Sequence, residues 1–143
     1  MYAGKYNHTL DTKGRLILPS KLRDSLGEEF VVTKGIDGCL FVYDKTEWAQ
    51  FEEKLDTLSI TSKESRKVLR FFLSGAAYVE VDKQGRFLIP TELREYAGLD
   101  KDVCMVGSGR HVEIWDKARW DAENEDIDVD QSMAYLDSIG IRL

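Results

Sequence analysis

The sequence predicts an α+β fold that is mainly β with added helices, in which two copies of one unit close a single small β-barrel with pseudo-two-fold symmetry. Three observations predict it: an internal repeat, short strand-like segments joined by glycine turns within each copy, and helical periodicity between and after the copies. With 143 residues in all, neither copy carries enough apolar sequence to bury a core alone. The two copies are therefore expected to share one core.

The internal repeat is the strongest of these observations. Asp11–Gly27 aligns with Asp82–Gly98 at an offset of 71 residues, and seven of the 17 positions are identical. The chain's only two prolines fall at matched positions. Further along, the offset becomes 72, where the pattern Asp-Lys-x-x-Trp at Asp44–Trp48 returns at Asp116–Trp120. A small change of offset within a match is typical of a loop insertion, so the chain is interpreted as a duplication.

Each copy predicts the same order of elements: strand, turn, strand, short helix and hairpin. The strands are short and apolar, glycine in the turn permits a positive φ, proline opens the helix and glycine ends it. The first copy has a strand at Tyr6–Leu10, a turn at Thr12–Gly14, a strand at Arg15–Leu18, a helix between Pro19 and Gly27, and a hairpin of Phe30–Lys34 with Cys39–Tyr43. The second copy has the corresponding elements at Ala77–Val81, Lys83–Gly85, Arg86–Ile89, Pro90 to Gly98, and Val103–Val106 with Val112–Trp115.

Helical periodicity occurs outside these units. Apolar residues at steps of three and four predict one amphipathic helix and then a second that begins at Ser62 or Ser65. An acidic loop at Glu123–Asp130 and a short C-terminal helix are expected to follow the second copy. The apolar positions are Trp48, Phe51, Leu55 and Leu58; then Val68, Leu69, Phe72 and Leu73; then Met133, Leu136 and Ile139. The predicted divisions are repeat 1 (5–48), a helical connector (49–75), repeat 2 (76–120), and an acidic segment with the C-terminal helix (121–143).

The charge is unevenly distributed along the chain. The formal net charge is −6, and an acidic chain normally argues against nucleic acid as a partner. Residues 116–143 hold eight acidic side chains against three basic ones, whereas residues 1–27 hold five basic against two acidic. A phosphate-binding face needs only a local basic patch, so the composition leaves nucleic acid open as a partner.

Other function classes find little support in the sequence. Met1–Lys5 lacks the apolar stretch of a signal peptide and no apolar run could span a bilayer, so we expect a cytoplasmic protein. The cysteines (Cys39 and Cys104) and the histidines (His8 and His111) show no zinc-ligand spacing, so no metal is expected. No P-loop, GxGxxG or nucleophile–base pattern is present. We therefore expect no enzyme activity, cofactor or small-molecule substrate.

The repeated pattern Asp-x-x-Gly-Arg, followed by apolar residues and proline, is the candidate site. It places Arg15 and Arg86 directly after a glycine turn, where an exposed guanidinium can contact a phosphate or the O6/N7 edge of guanine. Asp11 and Asp82, four residues earlier, can hold the arginines by charge-assisted hydrogen bonds. Such a pair can also serve only to fix the turn, and the residues alone leave both roles open. Two copies favour binding, because duplex DNA offers phosphates and grooves with matching local symmetry.

Both segments resemble the SpoVT/AbrB-type swapped-hairpin DNA-binding motif. Two such motifs with helices between them, begun by Met-x-x-Gly-x-Tyr-x-His-x-Leu-Asp-x-Lys-Gly-Arg, resemble the MraZ family of bacterial transcriptional regulators over almost the whole chain. The second copy is less basic, with Gln84 in place of Lys13 and Glu92 in place of Lys21, so weaker phosphate contacts are expected there. The resemblance implies DNA contacts from Thr12, Lys13, Arg15, Lys83, Gln84 and Arg86, with Asp11, Gly14, Asp82 and Gly85 supporting the motif.

The resemblance also implies a function. Members of this family bind short direct repeats of double-stranded DNA upstream of the division and cell-wall gene cluster, usually as repressors, and assemble into rings of several subunits. A nucleoid-associated protein in the cytoplasm is therefore expected. A ring would present several basic faces to one DNA segment while its acidic tails point elsewhere, so that modest contacts combine through high effective concentration.

Two other functions stay open at this point. An antitoxin-like module would bind DNA weakly through the same motif and neutralise a toxin through its acidic C-terminal segment. The duplication and the absence of a long extended tail count against it. A small-barrel enzyme would use Ser108 in the loop of the second hairpin, but a single Gly-Ser pair is a weak signal.

Overall fold

The computed structural model describes all 143 residues and confirms the α+β class, with eight strands and six helices. In chain order the elements are β1 (Lys5–Thr9), β2 (Arg15–Ile17), α1 (Ser20–Leu26), β3 (Glu29–Lys34), β4 (Leu40–Tyr43), α2 (Lys45–Asp56), α3 (Lys63–Ser74), β5 (Ala77–Glu80), β6 (Arg86–Leu88), α4 (Thr91–Ala97), β7 (Asp102–Ser108), β8 (His111–Asp116), α5 (Lys117–Asn124) and α6 (Val129–Ser138). None of the six helices is both long enough and apolar enough to cross a bilayer.

The two copies exchange strands. Six strands form one antiparallel sheet in the order β1-β7-β8-β4-β3-β5, so that β1 pairs with the second copy and β5 pairs with the first. The two pairings have the same register. His8 of β1 lies opposite Val103 of β7, and Val79 of β5, the counterpart of His8, lies opposite Phe30 of β3. β2 and β6 pair only with each other and form a separate two-stranded sheet, called the ribbon below. The swapped-hairpin arrangement implied by the resemblance is present in the structure.

The prediction of one closed β-barrel is wrong, because the six-stranded sheet stays open with β1 and β5 as its edges. Closure of a barrel would require β2 and β6 to pair with these edge strands, but each is three residues long and pairs with the other. Main-chain hydrogen bonds from Leu18 N to Gly85 O (2.9 Å) and from Ile89 N to Gly14 O (3.0 Å) extend this pairing at both ends. The ribbon therefore forms a second layer over the sheet and does not close it.

The larger core lies between the sheet on one side and the ribbon, α1 and α4 on the other. Leu16 and Phe87 face each other in the middle of the ribbon and are at most 1% exposed. The Phe87 ring meets that of Phe30 on β3 edge-on, with 5.1 Å between centroids. Leu22 of α1 and Leu93 of α4 are buried beside them. Burial of each such side chain contributes about 1.5–3 kcal/mol, and this core fixes the ribbon on the sheet.

A second core covers the opposite face of the sheet beneath α2, α3 and α5. The buried indole of Trp48 packs on the Tyr43 ring, and its Nε1 donates a hydrogen bond to Tyr78 Oη over 3.2 Å. Trp115 and Trp120 meet edge-on with 5.6 Å between ring centroids. The tryptophans thus anchor the outer helices to the sheet.

The helices between the copies are confirmed, and the acidic segment needs a correction. α2 ends at Asp56, so Leu58 lies beyond it. The loop expected at Glu123–Asp130 is shorter than predicted, because α5 continues to Asn124 and α6 begins at Val129. Only the four residues between these helices form the connection.

α5 is a helix that the sequence did not predict, although the matched Asp-Lys-x-x-Trp pattern marks a helix start in both copies. The carboxylate of Asp44 accepts a hydrogen bond from Glu47 N (2.8 Å) at the start of α2. Asp116 accepts one from Arg119 N (3.3 Å) at the start of α5. Aspartate at this position satisfies a free main-chain N–H of the first turn, which is why the helix begins there.

Candidate nucleic-acid interface

The two glycine turns lie at opposite ends of the ribbon. The turn Thr12–Gly14 adjoins the end of β6 through the hydrogen bond from Ile89 N, and the turn Lys83–Gly85 adjoins the end of β2 through that from Leu18 N. The structure thus brings the predicted residues of both copies onto one ribbon. Four of them are exposed at the turns: Thr12, Lys13, Lys83 and Gln84.

The first turn is organised by one carboxylate. Oδ1 of Asp11 accepts hydrogen bonds from the main-chain N–H groups of Lys13 (2.9 Å) and Arg15 (2.8 Å). Oδ2 accepts a charge-assisted hydrogen bond from Arg15 Nε over 2.7 Å. Gly14 closes the turn with φ of +84°, a conformation that glycine adopts without strain. The Asp–Arg pairing predicted from the spacing is confirmed.

The second turn repeats this geometry with one addition. Oδ1 of Asp82 accepts from the main-chain N–H groups of Gln84 and Arg86, both over 2.9 Å, and Oδ2 accepts from Arg86 Nε over 3.1 Å. In addition, Arg86 Nη2 donates to Gln84 Oε1 over 2.9 Å. In the first copy Lys13 stands at the position of Gln84, and Arg15 makes no corresponding contact. The second guanidinium therefore has one more hydrogen-bond partner than the first, although its contact with the carboxylate is longer.

The hydrogen bonds keep both carboxylates charged. The main-chain N–H of Arg15 is the largest cause that lowers the pKa of Asp11, to about 2, with further help from the guanidinium and from Lys13 N. The pKa of Asp82 is lowered for the same reason, led by the main-chain N–H of Arg86. At neutral pH each site therefore contains a carboxylate and a guanidinium in direct contact.

This contact decides which edge of each arginine is available. Both aspartates take the Nε atom, so the edge formed by the two terminal Nη atoms is not used by the carboxylate. The side chains of Arg15 and Arg86 are 29% and 27% exposed, which leaves part of each guanidinium open to a ligand. Both Nη atoms of Arg15 are free for bidentate hydrogen bonding to a phosphate or to O6 and N7 of guanine, whereas Nη2 of Arg86 also donates to Gln84. Fixing the turn and binding a ligand are thus compatible roles.

Each turn is also flanked by an arginine from the helix of the other copy. A Cβ added at Gly14 would lie 2.5 Å from Cζ of Arg94 on α4, and one added at Gly85 would lie 3.4 Å from Nη1 of Arg23 on α1. Arg94 is fixed there by hydrogen bonds from Nε to Ile89 O and from Nη2 to Thr91 Oγ1, both 2.9 Å long. Each end of the ribbon therefore carries basic groups from both copies.

Arg23 and Arg94 are not among the site residues predicted from the sequence. A signal was available, because they are one of the seven identical pairs in the repeat. The identity of this pair does not show which turn each arginine contacts. Because the copies exchange strands, each arginine lies far along the chain from the turn that it flanks. The periodicity of one copy carries no information about its contacts with the other.

The acidic excess lies in a segment apart from the ribbon. Every residue of α6 is exposed except Leu136, which is half-buried. No residue of α5 is fully buried either. Most of the negative charge of residues 116–143 is thus carried by exposed positions outside the ribbon, while the ribbon keeps its basic groups.

Three further titratable groups lie in or beside the second core: Cys39 and Cys104 are buried within it, and His111 lies next to it. His111 packs against Phe41 at a tilt of 43°, with 4.1 Å between ring centroids, and its Nε2 lies 3.7 Å from Oε2 of Glu113. Burial raises the pKa of the Cys39 thiol to about 12 and raises that of Cys104 as well. No group of three or more His, Cys, Asp or Glu side chains is arranged to hold a metal ion.

Comparison with known proteins agrees with this architecture. The family model described as "MraZ protein, putative antitoxin-like" matches residues 1–71 and again residues 72–134. A Heliobacterium modesticaldum protein named transcriptional regulator MraZ is 57% identical over 125 residues, which is 87% of each chain. Proteins of the same name from Acetivibrio thermocellus and Clostridium beijerinckii are 55% identical over 126 residues (88% of each chain) and 51% identical over 142 residues (99% of this chain and 100% of the relative). The two family matches begin near the start of each structural copy and the relatives align along nearly their full length, so the chain belongs to the MraZ family.

Proposed function

We propose that this protein is a sequence-specific transcriptional regulator that binds double-stranded DNA through the ribbon and its two turns. The observation that carries the proposal is the symmetric pair of Asp–Arg sites at opposite ends of one two-stranded ribbon, each with its Nη edge free of the carboxylate. The relatives' shared name, transcriptional regulator MraZ, supports it. A two-stranded ribbon is one of the elements that fit the major groove.

The residues divide into two roles in this proposal. The exposed Lys13 and Lys83 at the turns bind phosphates and position the protein on the duplex. Arg15 and Arg86 contact base edges or phosphates with their Nη atoms, and Thr12 and Gln84 add hydrogen bonds at the turns. Binding is driven by groups that the chain itself supplies, without a metal, a cofactor or a catalytic step.

The finer function follows from the resemblance and from the need for several weak sites to act together. The protein represses the division and cell-wall gene cluster by binding short direct repeats in its promoter, as a ring of several subunits associated with the nucleoid. Residues 5–48 and 76–120 are its DNA-binding repeats, joined by the helical connector at 49–75. A ring lets successive ribbons engage successive repeats, which raises the overall affinity well above that of one ribbon.

A selection from a random pool of duplex DNA with the full-length protein tests this function. Enrichment of one sequence family, recovered again as repeats when longer pools are used, is the expected result. Light scattering on the same sample gives the subunit number, for which several subunits are expected. Failure to enrich any sequence would contradict the proposed function, and a monomeric mass would contradict the ring.

The antitoxin-like module is the second candidate, and one observation favours it. The exposed α6 and the acidic residues around it form a segment, 121–143, that the core does not require. Capture of a toxin that depends on residues 121–143 would support this role. The small-barrel enzyme at Ser108 loses its structural basis, since the sheet is open and encloses no barrel interior.

A further inference from the structure

The ribbon exposes two large aliphatic side chains. Ile17 and Leu88 are 49% and 51% exposed, whereas Leu16 and Phe87, on the inner face of the same strands, are at most 1% exposed. The inner pair belongs to the core that fixes the ribbon on the sheet. Ile17 and Leu88 therefore lie on the outer face without a structural requirement for their apolar character.

The strand register places these aliphatic residues among the two arginines. Arg15 is directly opposite Leu88, and Ile17 is directly opposite Arg86. The four side chains form a square on the outer face, with the arginines on one diagonal and the aliphatic residues on the other. Directly opposite residues of an antiparallel pair have Cβ atoms about 4.5–5.5 Å apart, so a surface that contacts either arginine also meets the aliphatic residue beside it.

The charge around the square indicates what covers it. Around the aliphatic pair, four basic side chains (Lys13, Lys83, Arg15 and Arg86) outnumber the carboxylates of Asp11 and Asp82. The net positive charge favours a polyanion over an apolar peptide. The major groove of B-DNA is about 12 Å wide, admits a two-stranded ribbon, and offers one apolar group, the C5-methyl of thymine. A duplex in contact with the arginines can therefore satisfy the aliphatic pair only through thymine methyl groups.

We propose that Ile17 and Leu88 are specificity-determining residues that pack on thymine C5-methyl groups in the major groove, each beside the base contacted by the arginine opposite it. This inference rests on the proposed function, since it assumes that the ribbon enters DNA. It adds a requirement that the Asp–Arg sites alone do not impose: thymine next to the contacted bases on both sides of the pseudo-two-fold axis.

Replacement of thymine by deoxyuridine tests the inference, because it removes only the methyl group. The probe is the duplex recovered by the selection described above, with each thymine replaced in turn, titrated against the full-length protein by fluorescence anisotropy. Loss of one buried methyl contact is expected to weaken binding about three- to fourfold. Ile17→Ala and Leu88→Ala are expected to bind the thymine duplex more weakly and to lose no further affinity at the corresponding deoxyuridine.

The controls separate this inference from the proposed function. Ile60→Ala removes an exposed isoleucine (74%) in the connection between α2 and α3, and it is expected to keep full affinity and full sensitivity to deoxyuridine. Ile17→Thr keeps the β-branched shape and serves if the alanine variant folds poorly. Arg15→Ala with Arg86→Ala is expected to lose binding to both duplexes.

Three results would overturn the inference: a selected site without thymine, no loss at any deoxyuridine in the wild type, or an equal loss in the wild type and in the Ile17 and Leu88 variants. In each of these cases an intact dependence on the arginines leaves the proposed function standing. Full affinity of the double arginine variant would instead contradict the proposed function.

Discussion

Nε of Arg15 lies 2.7 Å from Oδ2 of Asp11, and this contact fixes which edge of the guanidinium faces outward. The same carboxylate holds the turn through two main-chain N–H groups. One side chain therefore sets both the path of the chain and the orientation of the group proposed to contact DNA. Because Asp82 and Arg86 repeat the arrangement, the ribbon presents two guanidinium edges related by its own symmetry.

Substitution of Asp11 by asparagine is expected to weaken binding to the selected duplex about tenfold, because the guanidinium loses a charge-assisted hydrogen bond that orients it. Fluorescence anisotropy measures the change. Asp24→Asn, at an exposed position of α1, removes the same charge and is the matched control. Equal affinity of wild type and Asp11→Asn would show that the pairing does not orient the arginine for binding.

Lys13→Ala and Lys83→Ala are expected to reduce the salt dependence of binding. Each phosphate contact contributes about 0.9 to the slope of log affinity against log salt concentration, so each variant is expected to lower the slope by about that amount. Titrations at four salt concentrations provide the measurement. Lys63→Ala, at the start of α3, is the control and is expected to leave the slope unchanged. If neither Lys13→Ala nor Lys83→Ala changes the slope, the turn lysines do not contact phosphates.

Gly14→Ala is expected to destabilise the fold more than Gly85→Ala. Both glycines have a positive φ, of +84° and +78°, so alanine strains the backbone similarly at each. Only at Gly14 would the new Cβ displace a fixed arginine, since it would lie 2.5 Å from Cζ of Arg94. Because the two Arg94 hydrogen bonds are lost, Gly14→Ala is expected to lower the free energy of unfolding by about 1–2 kcal/mol more than Gly85→Ala does. Urea unfolding of the two variants provides the comparison, and equal stabilities would contradict the packing of Arg94 on this turn.

The two motif aspartates are expected to stabilise the fold in a pH-dependent way. The folded-state pKa of Asp11 is about 2, below its ordinary value of 3.8, and that of Asp82 is lowered as well. A depressed pKa means that the stabilisation is present above about pH 4 and is lost as the pH falls towards 2. Urea midpoints at pH 4.5 and pH 2.5 should therefore differ more for the wild type than for Asp11→Asn with Asp82→Asn. If the two proteins lose stability in parallel over this interval, the carboxylates do not act in this way.

Much of the local structure could be predicted from sequence. The repeat located both turns, and the spacing of Asp11 and Arg15 predicted their contact, since both features depend on residues close together in the chain. The prediction of a closed barrel was wrong because a short strand has the same side-chain periodicity whichever strand it pairs with. Nothing within one copy shows that β2 pairs with β6, or that Arg94 lies against Gly14 of the other copy.

The affinity of Arg15→Ala with Arg86→Ala for the selected duplex tests the central claim most directly. The matched control is Arg70→Ala with Arg142→Ala, which removes the same charge from exposed positions on α3 and near the C-terminus. Circular dichroism is expected to show the wild-type fold for both proteins. The account predicts a loss of affinity of about 100-fold or more for the motif variant and little change for the control. Wild-type affinity in the folded motif variant would contradict it.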